Sequence, residues 1–310
     1  MNINILTFMT LEEYKTLLLT SGEFSGKILE NEKLSKHSTM NVGGDAGLFV
    51  EPDSEAGFVF AVKEAVLNRI DFFLLGGGSN TIFPDEGIPL VITSRLIKDQ
   101  ITYSDSTLRI PAGASWGAVI SFCKNSNLRG FECFTGLSGS AGGALFMNAT
   151  CFGLSACHNL LSAEYLDKND CTVKIYKKDP KDWGYKKSPF QTGDKVILSA
   201  VFNVKKGFDE AKSAEVLEKR KTMGHFKAPS AGSAFKNKPE EGIIAGKIID
   251  ECGLKGFSCG GAQIAPWHGN FIINPEKKAS CADIKALVEK VQETVLQKTG
   301  IKLECEILFV

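Results

Sequence analysis

No two of the nine cysteines in the 310-residue sequence form a C-x-x-C pair. The missing pairs argue against a zinc site, and an odd number of scattered cysteines argues against a disulfide framework. Reduced and mostly buried thiols are the simplest interpretation, and they predict a cytoplasmic protein without a metal centre.

Long apolar runs and an excess of one charge are also absent. No eighteen apolar residues stand in an uninterrupted row, which argues against a membrane-spanning helix, and the opening "MNINILTFMT" lacks the basic start and apolar stretch of a signal peptide. Lysine and arginine total 36, as do aspartate and glutamate, so the zero net charge gives no field that would gather nucleic acid. We expect neither nucleic acid nor a membrane as a partner.

Hydrophobic periodicity predicts three successive domains with both helices and strands. Residues 1–100 begin with a short helix and continue as a small α/β unit, and residues 101–204 contain alternating strands typical of an antiparallel sheet, such as "CTVKIY". Residues 205–310 contain "SCADIKALVEKVQETVLQKTG", in which Ser280 and Asp283 form a capping box and Gly300 ends the helix. The last ten residues, "IKLECEILFV", alternate as a strand.

Two glycine-rich stretches are candidates for a binding site. The first, "LLGGGSNTIFPDEG", follows a buried strand, and its consecutive glycines let main-chain N–H groups approach an oxyanion closely. It is not a dinucleotide fingerprint of the Rossmann kind, because Thr81 stands where the third glycine is required and no helix follows. A tight turn at the end of a sheet is the alternative interpretation.

The second stretch, "FTGLSGSAGGALFMNATCFG", contains no charged residue. Such a segment suits a wall against a large flat cofactor whose phosphates meet main-chain amides. Because the two stretches fall in the first and second predicted domains, they suggest one ligand bound by both.

The segment "SAGSAFKN" places Ser230 and Ser233 in a turn-like context ahead of a Lys-Asn pair. Either these serines belong to a loop that enters a strand, or one hydroxyl is held in place for chemistry. The residues alone leave both interpretations open.

Eight motifs, taken in order, carry a resemblance to a known family. They are "TMNVGGDA", "LGGGSN", "AGASWG", "GLSGSAGGALFMNA", "PSAGSAFKN", "GKIIDECGLKG", "GGAQIAPWHGNFIIN" and "LECEI". In this order they resemble the UDP-N-acetylenolpyruvoylglucosamine reductases, flavoenzymes of peptidoglycan precursor synthesis, and the chain looks like a divergent member of the shorter subtype. The resemblance extends from about residue 31 to the C-terminus.

The resemblance implies a vanillyl-alcohol-oxidase type of α+β fold, with two FAD-binding subdomains and a C-terminal substrate-binding domain. It implies an oxidoreductase in which NADPH reduces FAD, and the flavin then passes hydride to the enolpyruvyl ether of a small nucleotide sugar, UDP-N-acetylglucosamine enolpyruvate. By motif match, the implied FAD-binding residues are Gly76, Gly77, Gly78, Ser79 and Asn80, with Gly142, Gly143 and Asn148 as further contacts. We expect the enzyme to be a monomer.

The implied chemistry needs a proton donor and fixed positive charge, because the carbanion left after hydride transfer must be stabilised and then protonated. The family's proton donor matches Ser233. Motif register favours Glu306 as the acid residue, although Glu304 points to the same side of the predicted strand, where we expect it on a solvated face. Tyr185, in the matching motif "GYKKSPF", is implied to contact the substrate. Lys236 and Asn237 follow Ser233 closely, and we expect them to help set the site and to bind the substrate.

The main departure from the family is Lys186, which takes the place of a catalytic arginine in "GYKKSPF". Lysine keeps the positive charge but lacks the planar fork that matches a carboxylate. Two lysines on a solvated loop are the alternative interpretation of this motif. Trp267, where a basic residue is usual, also departs from the family pattern.

These departures leave three hypotheses. The chain is an active reductase of this family, an oxidoreductase of the same fold with another substrate, or a paralogue that binds flavin or nucleotide sugar without catalysis.

Overall fold

The computed structural model describes residues 9–97 and 100–310. In chain order, the α-helices of this part are α1 (Leu11–Thr20), α2 (Glu55–Leu67), α3 (Trp116–Asn125), α4 (Ala141–Phe146), α5 (Glu210–Thr222), α6 (Ala245–Glu251) and α7 (Cys281–Thr299). None of these helices combines the length and the apolar character needed to cross a membrane.

Short strands alternate with these helices. Those up to residue 130 are β1 (Gly26–Lys33), β2 (Asp45–Pro52), β3 (Phe73–Leu75), β4 (Thr81–Ile82), β5 (Ile88–Thr93), β6 (Thr102–Ser104), β7 (Thr107–Pro111) and β8 (Leu128–Arg129). The middle of the chain adds β9 (Thr150–Cys151), β10 (Leu154–Ser155), β11 (Leu160–Asp167), β12 (Thr172–Lys177), β13 (Lys195–Asn203) and β14 (Lys205–Lys206). The last strands are β15 (Ser230–Ser233), β16 (Ser258–Cys259), β17 (Ala262–Ile264), β18 (Phe271–Ile273) and β19 (Leu308–Phe309).

The chain divides into two compact units. Unit 1 comprises the described residues up to Asn31, together with Gly47–Gly77 and Pro89–Val216, and unit 2 comprises Glu32–Ala46, Gly78–Ile88 and Leu217–Val310. The domains expected at residues 1–100, 101–204 and 205–310 stay a prediction, and residues 1–8, 98 and 99 of the first one lie outside the described residues.

Unit 1 contains the predicted antiparallel sheet, in the strand order β12-β11-β13-β7-β6. Strand β13 is buried along most of its length, because its two faces pack into two different hydrophobic cores. Val196 and Leu198 pack with Tyr14 and helix α2, whereas Ile197 packs with Trp116 of α3. A strand covered on both faces reads as a continuous apolar run, which is the pattern of "KVILSAVFN".

Unit 2 contains the sheet β15-β18-β17-β16, with α6 and α7 contributing to its core. The predicted capping box of α7 is present: the Ser280 hydroxyl accepts from the Asp283 N–H, and the Asp283 carboxylate accepts from the Ser280 N–H. Gly300 ends the helix in the left-handed conformation, at φ 73°. Leu287, Val291 and the other buried residues of α7 lie on one face of the helix, which explains why its apolar positions repeat at helical spacing.

The C-terminal segment follows the expected alternation of burial but forms no continuous strand. Leu303 and Ile307 are buried, whereas Glu304 is exposed. Cys305 pairs antiparallel with Phe235, and β19 pairs in parallel with β4. Because the segment changes its pairing partner between these two points, the ladder is interrupted at Glu306.

Asp85 fastens the segment after β4 to helix α7. Its carboxylate oxygens accept from the N–H groups of Cys281 at 2.8 Å and Ala282 at 3.1 Å. These are orphan N–H groups of the first helical turn, where a negative charge is also favoured by the helix dipole.

Replacing Asp85 by alanine should therefore lower the free energy of unfolding by about 1 kcal/mol, as for the loss of a helix cap. Chemical denaturation checks this value. The exposed neighbour provides the control: Glu86→Ala should change the value by less than about 0.5 kcal/mol. Equal effects of the two substitutions would contradict the capping role.

Candidate active site

The two glycine-rich stretches pack against each other within unit 1. A Cβ on Gly77 would lie 2.3 Å from the Gly139 Cα, and a Cβ on Gly76 would lie 2.8 Å from the Ser140 Oγ. A Cβ on Gly142 would lie 2.7 Å from the Ala112 Cβ. Gly77 is therefore required by the close approach of the two stretches, and Gly142 by the close approach of Ala112, whatever else binds there.

The next three residues of the first stretch belong to unit 2. Gly78 has φ 64°, and a Cβ there would lie 1.9 Å from the His37 carbonyl oxygen, so only glycine fits. The side chain of Asn80 donates from Nδ2 to the Glu306 carbonyl at 3.0 Å. Asn80 thus joins the glycine turn to the segment that contains the predicted acid residue.

The glycine turn offers the kind of donor set that a pyrophosphate requires. Within the described part of the chain, the main-chain N–H groups of residues 77–79 donate to no main-chain carbonyl in a turn hydrogen bond. A Cβ on Gly143 would contact only the Ser140 Oγ, at 3.2 Å, so this glycine is much less enclosed by protein than Gly77. Main-chain donors in a glycine-rich turn and a small residue beside it fit a dinucleotide such as FAD.

Asn148 is a buried residue whose side chain is used by the protein itself. Its Nδ2 donates to the Gly184 carbonyl at 2.7 Å, and its Oδ1 accepts from the Cys157 N–H at 3.3 Å. The backbone is left-handed, at φ 41°. The Asn148 side chain therefore anchors the turn that begins at Gly184. Its contact with the cofactor stays a prediction.

That turn contains Tyr185 and Lys186. Gly184 and Lys187 pair on either side of it, with N–H to carbonyl distances of 3.1 and 3.2 Å, so the two residues form a hairpin loop. Lys186 has φ 55°, and its Nζ lies 5.6 Å from the centre of the Tyr185 ring. The Lys186 carbonyl also accepts from the Gln191 side chain at 3.2 Å.

The serine loop, residues 230–237, begins with strand β15, and its two serines have different surroundings. The Ser230 hydroxyl accepts from the Gly232 N–H at 3.1 Å, which makes Ser230 a turn residue. Gly232 has φ 79°, and Ser233 lies opposite Phe271 in β18. The Ser233 side chain is half-buried.

The main chain brings Ser233 and Glu306 onto neighbouring segments of unit 2. The Glu306 N–H donates to the carbonyl of Ala234, the residue after Ser233, at 2.7 Å. This hydrogen bond and the one from the Asn80 side chain to the Glu306 carbonyl fix the peptide groups on both sides of the Glu306 Cα. Glu306 is half-buried at this position.

Glu304 belongs to an ion-pair cluster with two lysines. Its carboxylate contacts the Lys238 ammonium and lies 3.5 Å from the Lys236 Nζ. The hydrogen bond from Lys238 lowers the pKa of Glu304. The carboxylate is 46% exposed, in keeping with the expected solvated face, and its lysine partners were not foreseen from the sequence.

Asn237 has a structural contact as well. Its Oδ1 accepts from the Ala245 N–H at 2.9 Å, at the start of α6. Lys236 thus already pairs with Glu304, and Asn237 already bonds the start of α6. The substrate contacts predicted for these two residues would be additional to these bonds.

Sequence reasoning gave no role to Asn270 and Asn274, which flank β18 and are fully buried. Asn270 bonds both the N–H and the carbonyl of Phe235. Asn274 donates to the Met40 carbonyl at 3.0 Å and accepts from the Ala279 N–H at 3.0 Å. The sequence contains a signal for these contacts, because the two asparagines stand at the ends of the apolar run "FII". Amide side chains that are buried with such a run require hydrogen-bond partners inside the core.

Comparison with known proteins places these observations in a family. Residues 224–310 match the C-terminal domain of UDP-N-acetylenolpyruvoylglucosamine reductase, and residues 46–175 match an FAD binding domain. The curated reductase of Treponema denticola is 41% identical to the chain, over 92% of this chain and 94% of its own length. The chain belongs to the UDP-N-acetylenolpyruvoylglucosamine reductase family.

Other members of the family agree with this result. The Fusobacterium nucleatum reductase is 37% identical, over 92% of this chain and 99% of its own length. The crystal structure of the Thermus caldophilus reductase (MurB) has a TM-score of 0.75 and 30% identity, and the match covers 92% of this chain and 99% of that chain. The predicted family, the flavoprotein fold and FAD as cofactor are confirmed.

The packing of the glycine stretches can be tested by comparing Gly77→Ala with Gly143→Ala. The first substitution forces a methyl group into main-chain atoms, and we expect the flavin-free protein to lose at least about 2 kcal/mol of unfolding free energy. The second lies in helix α4, where alanine is tolerated, and should change stability by less than about 1 kcal/mol. Equal losses, measured by thermal or chemical unfolding, would contradict the described packing.

Proposed function

We propose that the protein reduces UDP-N-acetylglucosamine enolpyruvate to UDP-N-acetylmuramate in peptidoglycan precursor synthesis, with NADPH as the reductant. Family membership supports this activity. Within the structure, the observation that carries the proposal is the 2.7 Å hydrogen bond from the Glu306 N–H to the Ala234 carbonyl, because it sets the candidate acid beside the segment of the candidate proton donor.

The cofactor-binding residues proposed for unit 1 are Gly76, Gly77, Gly142 and Gly143, and those proposed for unit 2 are Gly78, Ser79 and Asn80. Main-chain N–H groups of the glycine turn would meet the pyrophosphate, and the Ser79 hydroxyl would add a donor. Asn148 would act through the turn that it anchors. The chemistry that FAD supplies when bound is two-electron hydride transfer between NADPH and the enolpyruvyl double bond.

Ser233 is proposed as the proton donor. After hydride is added to one carbon of the double bond, the other carbon is left as the enolate of a carboxylate and must gain a proton. The Ser233 O–H bond breaks as the new C–H bond forms, and the serine oxygen is then reprotonated from water. A serine hydroxyl is a poor acid, so the step depends on the strong basicity of the enolate and on fixed geometry.

Glu306 and Lys186 are proposed to act on the charge that develops during this step. Glu306 would polarise or protonate the enolpyruvyl group. Lys186 would stabilise the enolate as a point charge, whereas an arginine would bind the carboxylate through two parallel hydrogen bonds. The left-handed turn of Lys186, held by Asn148 and Gln191, limits the range over which its ammonium can move.

Tyr185, Lys236 and Asn237 are proposed to bind the nucleotide-sugar substrate. Lysine has three donors, so Lys236 can pair with Glu304 and still meet a phosphate. Because the Oδ1 of Asn237 caps α6, its amide nitrogen would be the atom that meets the substrate.

We further propose that residues 1–100 and 101–204 form the two flavin-binding subdomains and that residues 205–310 form the substrate domain. A cytoplasmic monomer without a nucleic-acid partner fits a substrate and a reductant that are both small cytoplasmic metabolites.

An anaerobic colour assay tests the proposed function. NADPH should reduce the flavin of the purified holoenzyme and bleach its yellow absorbance band. UDP-N-acetylglucosamine enolpyruvate should then reoxidise the flavin and restore the band, a step called recolouring below. Bleaching without recolouring would favour an oxidoreductase of the same fold that acts on another substrate. A protein that binds flavin but is never bleached would favour a paralogue without catalysis.

Hydride addition stays reversible until the enolate is protonated, so loss of the proton donor also slows net recolouring. Ser233→Ala should leave bleaching by NADPH nearly unchanged and slow the recolouring step by about 10²–10⁴-fold, the usual contribution of general acid catalysis. Rapid-mixing absorbance measurements separate the two steps. Ser230→Ala is the matched control, because it removes a turn hydroxyl in the same loop and should leave recolouring within a few-fold of the wild type. Equal slowing of bleaching and recolouring by Ser233→Ala would overturn the proton-donor role.

Lys186→Arg should maintain or raise the recolouring rate, because arginine keeps the charge and adds a second hydrogen bond to a carboxylate. Lys186→Ala should slow the step by about one to two decades, which corresponds to a loss of about 1.5–3 kcal/mol. The neighbouring exposed Lys187→Ala serves as the control. If Lys186→Ala recolours as fast as this control, Lys186 belongs to a solvated loop and has no catalytic role.

A further inference from the structure

Asn270 makes an unusual set of contacts with two consecutive residues of the serine loop. Its Oδ1 accepts from the Phe235 N–H at 2.9 Å, and its Nδ2 donates to the Phe235 carbonyl at 2.8 Å. Its own carbonyl accepts from the Ala234 N–H at 2.8 Å. The residue is 2% exposed, so all three bonds lie away from water.

These contacts replace part of a β-ladder. The pairing of β15 with β18 is irregular between Ser230 and Ser233, so the regular register does not continue along the loop. At the end of the paired region, the Asn270 amide meets the N–H and the carbonyl of one residue, Phe235, as a residue of an opposing strand would. A side chain therefore fixes the main chain directly after Ser233.

The other edge of the same segment is held by the C-terminal residues. The Glu306 N–H donates to the Ala234 carbonyl at 2.7 Å, and the Lys236 N–H donates to the Glu304 carbonyl at 2.9 Å. The segment from Ala234 to Lys236 is thus fixed on both edges, by Asn270 on one and by the Glu304–Glu306 chain on the other.

We propose that Asn270 is a positioning residue that sets Ser233 relative to Glu306, an inference that rests on the function proposed above. Its hydrogen bonds to the segment go to Ala234 and Phe235, and it acts through these two residues. Proton delivery by a weak acid such as serine requires fixed geometry, since a displacement of about 1 Å can cost about 10²-fold in rate. Without the Asn270 amide, the Phe235 N–H and carbonyl are left unpaired in the core, and the segment must shift to satisfy them.

Asn274 provides a matched control for Asn270. Both are buried asparagines at the ends of β18, and both bond main-chain groups of distant segments. The Asn274 side chain, however, contacts Met40 and Ala279 and not the residues that follow Ser233. Alanine at either position removes a buried amide, so a general loss of stability should affect both variants.

Hydrogen exchange on the full-length protein tests the structural part of the inference. Asn270→Ala should speed exchange of the Ala234 and Phe235 amides and of the Glu306 amide by at least about tenfold relative to Asn274→Ala. Asn270→Ser leaves a smaller cavity than alanine but is too short to reach both main-chain groups of Phe235, and it should speed exchange at the same amides. This variant also keeps the test decisive should the alanine variant fold poorly. Equal exchange at these amides in all variants would overturn the inference.

Recolouring of the reduced holoenzyme by UDP-N-acetylglucosamine enolpyruvate tests the functional part. Asn270→Ala should slow recolouring at least about tenfold more than Asn274→Ala does, with bleaching by NADPH unchanged. Its solvent deuterium isotope effect on recolouring should exceed that of the wild type, because proton transfer becomes slower relative to hydride transfer. A merely structural residue would lower the active fraction and leave this isotope effect unchanged.

The outcomes separate the two claims. If the wild type is bleached and never recoloured, the proposed function is wrong, whatever the exchange data show. If the wild type recolours and Asn270→Ala matches Asn274→Ala in rate and isotope effect, the function stands and the positioning role of Asn270 is wrong.

Discussion

The hydrogen bond from the Glu306 N–H to the Ala234 carbonyl is the contact on which the arrangement of unit 2 depends most directly. It joins the C-terminal segment to the serine loop at the point where both carry a proposed catalytic group. The Asn80 side chain holds the Glu306 carbonyl from another direction, and the Asn270 amide holds Phe235. Because each of these groups is a main-chain atom fixed by a specific partner, the two candidate side chains start from defined Cα positions.

The same network continues to the N-terminal part of unit 2. The Thr39 N–H donates to the Gly78 carbonyl at 3.0 Å, and the Thr39 carbonyl accepts from the Ser230 N–H at 3.1 Å. One residue of the motif "TMNVGGDA" therefore links the glycine turn to the serine loop. Three of the motifs that carried the family resemblance are joined by main-chain bonds, which gives a physical reason why they occur together.

Features determined by neighbouring residues could be predicted from the sequence. The capping box of Ser280 and Asp283 and the helix end at Gly300 depend on contacts within a few residues, and both are present. The interruption of the last strand at Glu306 and the partners of Asn270 depend on segments far away in the chain. Alternation describes which face is buried, but it does not say which segment will cover that face. The choice of Glu306 over Glu304 needed motif register, and the lysine contacts of Glu304 could not be foreseen from alternation.

The glycines and the left-handed residues show that packing and binding make different demands on the same motif. Gly77 and Gly142 are required by contacts with other protein atoms, so their presence alone is not evidence of a cofactor. Gly143 is less enclosed, and a methyl group there would be accepted by the protein. Asn148 and Lys186 adopt positive φ angles, each at a cost of about 1–2 kcal/mol for a residue with a side chain. The Asn148 contacts with Gly184 and Cys157 offset part of that cost, because they satisfy buried main-chain groups. Positive φ does not by itself mark a functional residue, because the exposed Arg69 and Lys277 adopt it as well. The left-handed conformation of Lys186 fits a hairpin turn, and its proposed catalytic role therefore rests on motif register.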